Sequence, residues 1–247
     1  KILECFMDSN VEWTLKSLIS HLNMPSTTVY RQVSTLTNQG YLIQDPVRKS
    51  YRVGPKLLLL ASTILSQSDL RRSARPELEK LSLVVKETIN LSILLEKEIF
   101  YLDKVETFRS VVCNTKIGSR APAHATSSGK AMLAYMEPAI IDNYCNALPS
   151  MQPITDRTIV SEDRLRSELI KARLDGYAID DGEIESGLFC VGAPIFGINQ
   201  NVLAAVSIAG PSFRMKAELD VMIREIKHTA SNISRLLGGI YLNQAAP

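Results

Sequence analysis

The densest group of side chains able to make specific hydrogen bonds lies between positions 26 and 35. Arginine suits guanine or a phosphate as a partner, and glutamine suits adenine. In a DNA-recognition helix, the N-terminal residues are the ones that meet base edges. The stretch contains no acidic residue, so we predict that it contacts DNA. The candidate residues are Ser26, Thr27, Thr28, Tyr30, Arg31, Gln32 and Thr35.

Two short helices are predicted to position this stretch. Apolar residues repeat at helical spacing over 15–22, after Thr14 as a candidate N-cap. Pro25 ends this helix, and Ser26 offers the N-cap of a second helix that stops before Gly40. Two short helices joined by a tight turn have the spacing of a helix-turn-helix.

A basic hairpin is predicted directly after the second helix. Residues 41–44 and 50–53 have the composition of two strands, and the tip between them is basic. A hairpin in this place is a wing, which contacts the phosphate backbone or the minor groove. The alternative is a small three-helix domain with an ordinary solvated surface. The basic candidates are Arg48, Lys49 and Arg52.

The net charge of the whole chain conceals where its basic residues lie. The 247 residues carry 28 Lys and Arg against 26 Asp and Glu, which gives a formal net charge of +2. Residues 1–54 hold six basic and four acidic residues, so they account for the whole excess. This balance excludes a histone-like mechanism based on bulk positive charge. Any nucleic-acid binding must therefore come from a local patch.

The first region also matches a known pattern of residues. It contains Met24-Pro25-Ser26-Thr27-Thr28-Val29-Tyr30-Arg31, then Leu36, Gly40-Tyr41 and Tyr51-Arg52-Val53-Gly54. This pattern resembles the winged-helix domain of the IclR family of bacterial transcriptional regulators. The resemblance implies that residues 1–54 form a winged helix-turn-helix DNA-binding domain.

A leucine-rich linker helix is expected at positions 55–72. Pro55 suits its first turn, and four consecutive leucines at 57–60 cover every side of that turn. Such a helix needs apolar partners, which are either the core of the next domain or a second copy of the chain. The resemblance favours a dimer-forming linker, so we expect a homodimer or a dimer of dimers.

Residues 73–247 are predicted to form a second domain that mixes strands and helices. An antiparallel hairpin joins strands at 189–196 and 202–209, and the mixture indicates an α+β fold. A first helix is expected to start at Arg75-Pro76. Further strands are expected at 88–94, 99–102, 109–115 and 177–180, and further helices at 128–136, 162–175 and 219–237.

The segment from Thr126 to Lys130 is similar to part of a phosphate-binding loop, but the motif is incomplete. His124 stands where the loop needs its first glycine, and Ala131 stands where it needs a serine or threonine. A nucleotide site is therefore not expected. Two alternatives stay open, namely carboxylate binding at the start of a helix and simple helix capping by Ser127 or Ser128.

The sequence offers little support for catalysis or metal binding. No two of the three histidines are close together, no G-x-S-x-G motif occurs, and the four cysteines lack C-x-x-C spacing. The acidic run at 180–185 is most simply a solvated loop. We expect no catalytic residue, metal or cofactor. The open alternative is an enzyme that converts a small acid around Cys190, with His124 as the conceivable base and a DNA-binding appendage.

A second pattern of residues lies in the C-terminal half of the chain. It includes Gly176-Tyr177-Ala178-x-Asp180-Asp181 and Gly187-x-x-Cys190-Val191-x-Ala193-Pro194. This pattern resembles the effector domain of the same family, which is GAF-like and binds a small metabolite, often an organic acid. Two positions differ from the family pattern, because Ala209 replaces a serine and Gly192 replaces an alanine. The resemblance implies a pocket lined by Ser127, Ser128, Gly129, Asp180, Cys190 and Ser207.

These observations predict a homo-oligomeric transcription regulator. Its N-terminal winged helix-turn-helix is joined by a linker helix to an α+β GAF-like effector-binding domain. The expected partners are a pseudo-palindromic double-stranded DNA operator and a small carboxylate, either an organic or a sugar acid. The most apolar run, at 57–65, is about half a membrane span. We therefore expect a cytoplasmic protein with no membrane partner.

Overall fold

The structure is a computed structural model that describes residues 1–7, 12–67, 69–109, 113, 115–146 and 151–241, without the side chains of 62–67 and 146. The chain divides into two compact units, Lys1–Ser68 and Asp69–Pro247. The cluster Asp8-Ser9-Asn10, whose composition is typical of a turn, lies outside the described residues, as do positions 110–112 and 114 of the strand predicted at 109–115.

The first unit is a helix-turn-helix followed by a hairpin and a further helix. After a 3-10 helix at Leu3–Met7, its elements are β1 (Trp13–Thr14), α1 (Leu15–Leu22), α2 (Ser26–Asn38), β2 (Leu42–Gln44), β3 (Ser50–Val53) and α3 (Pro55–Gln67). The strands pair antiparallel in the order β1-β3-β2. The predicted winged helix-turn-helix is confirmed, with one additional short strand, β1.

Local capping explains how α1 and α2 begin and end. The Thr14 hydroxyl accepts the N–H of Ser17 at 3.2 Å, which caps α1 as predicted. The prediction that Ser26 caps α2 is wrong, because Ser26 is the first helical residue and Pro25 holds the cap position without a side-chain bond. Gly40 follows α2 with φ +79°, a left-handed conformation that glycine adopts without strain.

The two helices bury a small apolar core between them and the sheet. Leu18 of α1 and Val29 and Val33 of α2 are almost fully buried. They pack in one cluster with Leu42 of β2 and Trp13 of β1. The apolar spacing that predicts the helices thus also predicts their buried faces, and the opposite face of α2 is left to solvent.

The second unit is built on one six-stranded sheet. Its strands are β4 (Thr88–Leu95), β5 (Glu98–Val105), β6 (Arg120–Pro122), β7 (Ala178–Asp181), β8 (Leu188–Phe196) and β9 (Val202–Pro211). Neighbouring strands are antiparallel, in the order β6-β5-β4-β9-β8-β7. The helices are α4 (Asp69–Val85), α5 (Ser127–Leu133), α6 (Pro138–Asn146), α7 (Glu162–Asp175), α8 (Ser212–Ala217) and α9 (Leu219–Leu236). The predicted α+β fold is confirmed.

Helices pack against both faces of this sheet. On one face, α4 and α9 contact each other and the strands β4, β5, β8 and β9. On the other face, α5 contacts β7, β8 and β9. The approach is tight at Gly192 of β8, where a Cβ would lie 2.7 Å from the backbone carbonyl carbon of Ser127. The residue that departs from the family pattern at this position therefore lets the start of α5 lie directly on the sheet.

Predicted boundaries agree best where the helix ends carry local signals. α7 has the predicted bounds, with Ser161 as its N-cap and Gly176 at its end with φ +78°. α4 begins at Asp69 rather than at Arg75, so Pro76 lies inside the helix. The sequence patterns do not predict the short elements β6, α6 and α8. Among the helices that the structure describes, none is long and apolar enough to cross a membrane.

Candidate functional site

The residues predicted to contact DNA share the exposed face of α2. Thr28, Arg31, Gln32 and Thr35, together with Leu36, border a shallow groove of about 510 Å³. Their spacing of three and four residues puts them on adjacent turns of one face. The Thr35 hydroxyl donates to the carbonyl of Arg31 at 2.9 Å, so it is left to act as an acceptor. The other exposed candidates on this helix are Ser26, Thr27 and Tyr30.

The wing turn is held by one carboxylate. Asp45 Oδ1 accepts two backbone N–H groups of the turn at 2.8 Å each, and these bonds lower the pKa of Asp45. Arg48 forms an ion pair with Glu12, with 2.7 Å between Nη1 and Oε1. Within the described residues, Lys49 and Arg52 form no ion pair. The three predicted wing cations are therefore not equivalent.

The second unit contains a cavity of about 220 Å³ on the α5 side of the sheet. It is lined from the sheet, from the start of α5 and from the loop after β7. At ~30 Å³ per water molecule, it has room for about seven waters, which suits a small organic molecule. Five of the six residues predicted for the effector pocket line it, namely Ser127, Ser128, Asp180, Cys190 and Ser207.

Gly129 is the sixth predicted residue, and it does not line the cavity. A Cβ on Gly129 would lie 2.1 Å from the carbonyl oxygen of Ala123, so this glycine allows a close backbone approach. Its N–H donates to the Thr126 hydroxyl at 3.1 Å, and Thr126 is the N-cap of α5. Capping by Ser127 or Ser128 is therefore wrong. Within the described residues, neither serine hydroxyl has a hydrogen-bond partner.

Strand register brings the sheet residues of the cavity together. Directly opposed residues face the same side of a sheet. Asn90 of β4 lies opposite Ser207 of β9, which lies opposite Gly192 of β8. The neighbouring row on the same face crosses β4, β9, β8 and β7. Its members are Thr88, Ala209, Cys190 and Asp180.

Asp180 belongs to a buried group of charges beside the cavity. It is only 1% exposed, and its Oδ1 accepts the N–H of Glu183 at 2.7 Å. Burial raises the pKa of Asp180 to about 7, against the lowering effect of this backbone bond. Lys130, also buried, forms an ion pair with the Glu183 carboxylate. A solvated loop is therefore the wrong prediction for Asp180 and Glu183, although Glu185 is exposed.

Cys190 and His124 do not form a nucleophile and base pair in this structure. The His124 ring lies beside Tyr144, with 3.1 Å between Nδ1 and the Tyr144 hydroxyl, and His124 does not line the cavity. Burial raises the pKa of the Cys190 thiol well above its ordinary value, so little of the reactive thiolate is present at neutral pH. The geometry gives the enzyme alternative no support.

Several lining residues lie outside the sequence predictions. The sequence does contain a signal for Asn90, because this polar residue alternates with apolar neighbours on a buried strand. Cys113 and Arg120 carry no local pattern. Arg120 is the one cation among the described lining residues, and its Nη1 lies 3.6 Å from Glu98 Oε2. Only the folded sheet brings these side chains to the cavity.

Two comparisons of sequence extend these findings. A model of the IclR helix-turn-helix domain matches residues 1–46, and a model of the C-terminal domain of the bacterial transcriptional regulator IclR matches residues 62–235. The chain is 32% identical to the transcriptional regulator KdgR of Escherichia coli over 225 residues, which are 91% of this chain and 85% of KdgR. It is 29% identical to XynR of Escherichia coli over 239 residues, 96% of this chain and 94% of XynR.

Solved structures show the same architecture. An IclR transcriptional regulator from Silicibacter sp. has a TM-score of 0.87 and 27% identity, with 100% of this chain and 97% of that chain covered. An IclR homologue from Microbacterium hydrocarbonoxydans in complex with 4-hydroxybenzoate has a TM-score of 0.80 and 26% identity, with 96% and 95% covered.

A winged helix-turn-helix and an α+β unit with a ligand-sized cavity define a class of protein, the DNA-binding transcription regulator with an effector-binding domain. Family models match most of the chain, and KdgR is 32% identical over 91% of it. The chain belongs to the IclR family of bacterial transcriptional regulators.

Proposed function

We propose that the exposed face of α2 and the wing bind an operator, and that the cavity binds a small carboxylate that changes operator affinity. The effector half of this proposal is carried by one observation: the hydroxyls of Ser127, Ser128 and Ser207 around the cavity have no hydrogen-bond partner among the described residues. Carboxylate oxygens accept hydrogen bonds but cannot donate them, so hydroxyl donors match them. Arg120 adds a positive charge at the cavity wall. The ligand bound to the Microbacterium relative is itself a carboxylate.

The DNA half of the proposal assigns two kinds of contact. Arg31 and Gln32 near the middle of the exposed α2 face would meet base edges, because their side chains carry the donors that guanine and adenine match. Lys49 and Arg52 of the wing would contact phosphates, which position the protein on the duplex without sequence information. Arg48 would first have to leave Glu12, so we assign it a smaller part.

A second copy of the chain is the proposed third partner. Leu58 and Leu60 of α3 are exposed, and large apolar side chains left in solvent mark candidate protein–protein contacts. Two copies related by a two-fold axis would present two α2 helices to successive major grooves. The operator would then be a pseudo-palindrome.

Because its target is chromosomal DNA, we expect the protein to act in the bacterial cytoplasm.

Regulation requires a difference in ligand affinity between two arrangements of the protein. A ligand that binds the DNA-competent and DNA-incompetent arrangements equally well shifts nothing. We propose binding without turnover, because burial raises the pKa of the Cys190 thiol and so disfavours the reactive thiolate. His124, the conceivable base, lies beside Tyr144 instead.

The test combines a ligand screen with operator binding. A panel of organic and sugar acids is added to the full chain, and thermal unfolding is followed. A ligand at 100 times its dissociation constant stabilises the protein by about 2.7 kcal/mol. The active acid is then titrated into an electrophoretic shift with operator DNA. Ser207→Ala should weaken the response, and Ser231→Ala on α9 is the matched control. A panel in which no acid shifts either unfolding or operator binding contradicts the proposal.

A further inference from the structure

One side of the cavity, which we call the donor side, consists of Asn90, Ser127, Ser128 and Ser207. The Asn90 Oδ1 already accepts the Thr115 hydroxyl at 2.7 Å, so its NH₂ group is the half of the amide left for a ligand. Within the described part of the chain, neither this NH₂ group nor the three serine hydroxyls have a hydrogen-bond partner. The donor side therefore matches a group that only accepts hydrogen bonds.

The other side, which we call the thiol side, consists of Cys113, Cys190, Ala209 and Leu188. The first three form one buried apolar cluster, Leu188 packs against it, and all four line the cavity. Burial raises the pKa of both thiols, so they are protonated at neutral pH. A protonated buried cysteine behaves as a small apolar residue. The thiol side therefore offers a ligand an apolar surface, bounded by the Asp180 carboxyl, which lies directly opposite Cys190.

Ala209 decides the character of the thiol side. It lies between Thr88 and Cys190 in its row of the sheet. The Thr88 hydroxyl is fully buried and has no partner within the described residues. A serine at 209 could bond to Thr88 across the strands, as hydroxyl pairs in sheets do, and would present a hydroxyl to the cavity. Alanine presents a methyl group instead, although this leaves Thr88 unsatisfied.

We propose that the effector is an amphipathic acid, with its carboxylate on the donor side and a compact apolar group, aromatic or branched aliphatic, on the thiol side. This inference rests on the proposed function, because it takes carboxylate binding in this cavity as given. A cavity of about 220 Å³ has room for about seven waters. A three-carbon oxo acid fills only part of that volume, so the thiol side would lose its packing contacts.

The first experiment uses the full wild-type chain and two matched pairs of ligands in titration calorimetry. Pyruvate and 4-methyl-2-oxopentanoate share a 2-oxo acid and differ in the branched alkyl group. Benzoate and benzyl alcohol share a ring and differ in the carboxylate. We expect the branched oxo acid to bind about 10-fold or more tightly than pyruvate, because added methylene groups in an apolar pocket give 10- to 200-fold discrimination. Benzoate should bind at least about 10-fold more tightly than benzyl alcohol.

The second experiment changes the thiol side. Ala209→Ser should lower the preference for the branched oxo acid over pyruvate by about 10-fold, because the added hydroxyl must be desolvated against an alkyl group. Ala217→Ser, on the exposed end of α8, is the matched control and should leave the preference unchanged. Thermal unfolding of both variants reports their folding, and the wild-type ligand series does not depend on it.

The possible outcomes separate the two proposals. Pyruvate binding as tightly as the branched acid overturns the amphipathic effector and leaves a carboxylate effector standing. Benzyl alcohol binding as tightly as benzoate overturns the assignment of the donor side. If other acids of the panel bind but neither 4-methyl-2-oxopentanoate nor benzoate binds, the proposed apolar part of the effector is wrong. If no acid of the panel binds, the proposed carboxylate effector fails as well.

Discussion

The exposed face of α2 and the cavity differ in how the chain builds them. The α2 face takes its residues from ten consecutive positions, 26–35, and they are mostly exposed. The cavity takes its residues from strands and loops between Asn90 and Ala209, and most of them are buried. The first surface depends on one helix keeping its own conformation. The second depends on several strands keeping their register.

This difference has a consequence for mutation. A residue on the α2 face can be replaced without disturbing its neighbours, so its loss should change DNA binding and leave stability intact. A residue around the cavity shares buried charges and backbone contacts with its neighbours, so its loss should change stability first. The four predictions below test this contrast, from the largest expected effect to the smallest.

Replacing Lys130 by methionine should give the largest effect. Lys130 and Glu183 form an ion pair that is almost fully buried, and removing one partner leaves an uncompensated charge. We expect a loss of about 3–5 kcal/mol in the free energy of unfolding, measured by urea denaturation. Replacing both residues by apolar ones, Lys130→Met with Glu183→Leu, should recover most of the loss.

The matched control for this pair lies on the surface of the same unit. Lys216 Nζ lies 2.8 Å from Asp181 Oδ1, and both side chains are more than a third exposed. Lys216→Met should cost at most about 1 kcal/mol, because exposed pairs contribute little. Equal losses in the free energy of unfolding for Lys130→Met and Lys216→Met would show that burial does not determine how much an ion pair stabilises the second unit.

Asp180 gives the second prediction, which concerns pH. Burial raises its pKa to about 7 in the folded protein, above an ordinary value of about 3.9. The folded state therefore holds the proton over a range in which the unfolded chain has released it. This contribution to stability is complete below about pH 4 and is lost as pH rises toward 7. The expected loss over that range is roughly 1–4 kcal/mol.

The measurement compares wild type with Asp180→Asn by urea denaturation from pH 4 to pH 8. Asparagine cannot ionise, and its oxygen can still accept the Glu183 N–H, so the variant should lack this loss. Wild type must be compared with the variant because His124 changes the stability with pH in the opposite direction. Burial lowers the pKa of His124 to about 4, so its contribution rises with pH above that value. Parallel pH profiles for the two proteins would contradict the prediction.

The same contrast explains what the sequence could predict. The helix-turn-helix and its contact face follow from apolar spacing, Pro25 and Gly40, because each signal is local. The cavity residues follow only from the resemblance to a family, since no spacing in the sequence connects Asp180 to Ser207. Asn90 was within reach, because a polar residue alternates there with buried apolar ones.

Two of the sequence predictions are wrong for one physical reason. Asp180 and Glu183 were expected in solvent because they lie in an acidic run, yet Lys130, far away in the sequence, covers and pairs with Glu183. Capping of α5 by Ser127 or Ser128 is one of two alternatives that the sequence leaves open, and Thr126 is the cap instead, because the choice depends on where the backbone turns. Both outcomes are decided by tertiary packing, which local patterns do not contain.

The third prediction tests the other side of the contrast. Arg31→Ala should weaken operator binding by about 1–3 kcal/mol if the guanidinium contacts a base. Its thermal unfolding should stay within about 0.5 kcal/mol of wild type, because the side chain is exposed. Lys171→Ala, an exposed cation on α7, is the control for loss of charge. Unchanged operator affinity in an electrophoretic shift would remove Arg31 from the contact face.

The smallest effect is expected at the wing. Lys49→Gln should weaken binding to all DNA sequences alike and reduce the slope of log affinity against log salt by about one for each bound protomer, since one phosphate contact is lost. Arg48→Gln should change the slope less, because Arg48 already has a carboxylate partner in Glu12 at 2.7 Å, and contact with a phosphate would break that pair. The two variants remove the same charge from adjacent positions, so the difference between their slopes measures the wing's internal ion pair. Equal slopes for both variants and wild type would show that the wing tip does not touch the backbone.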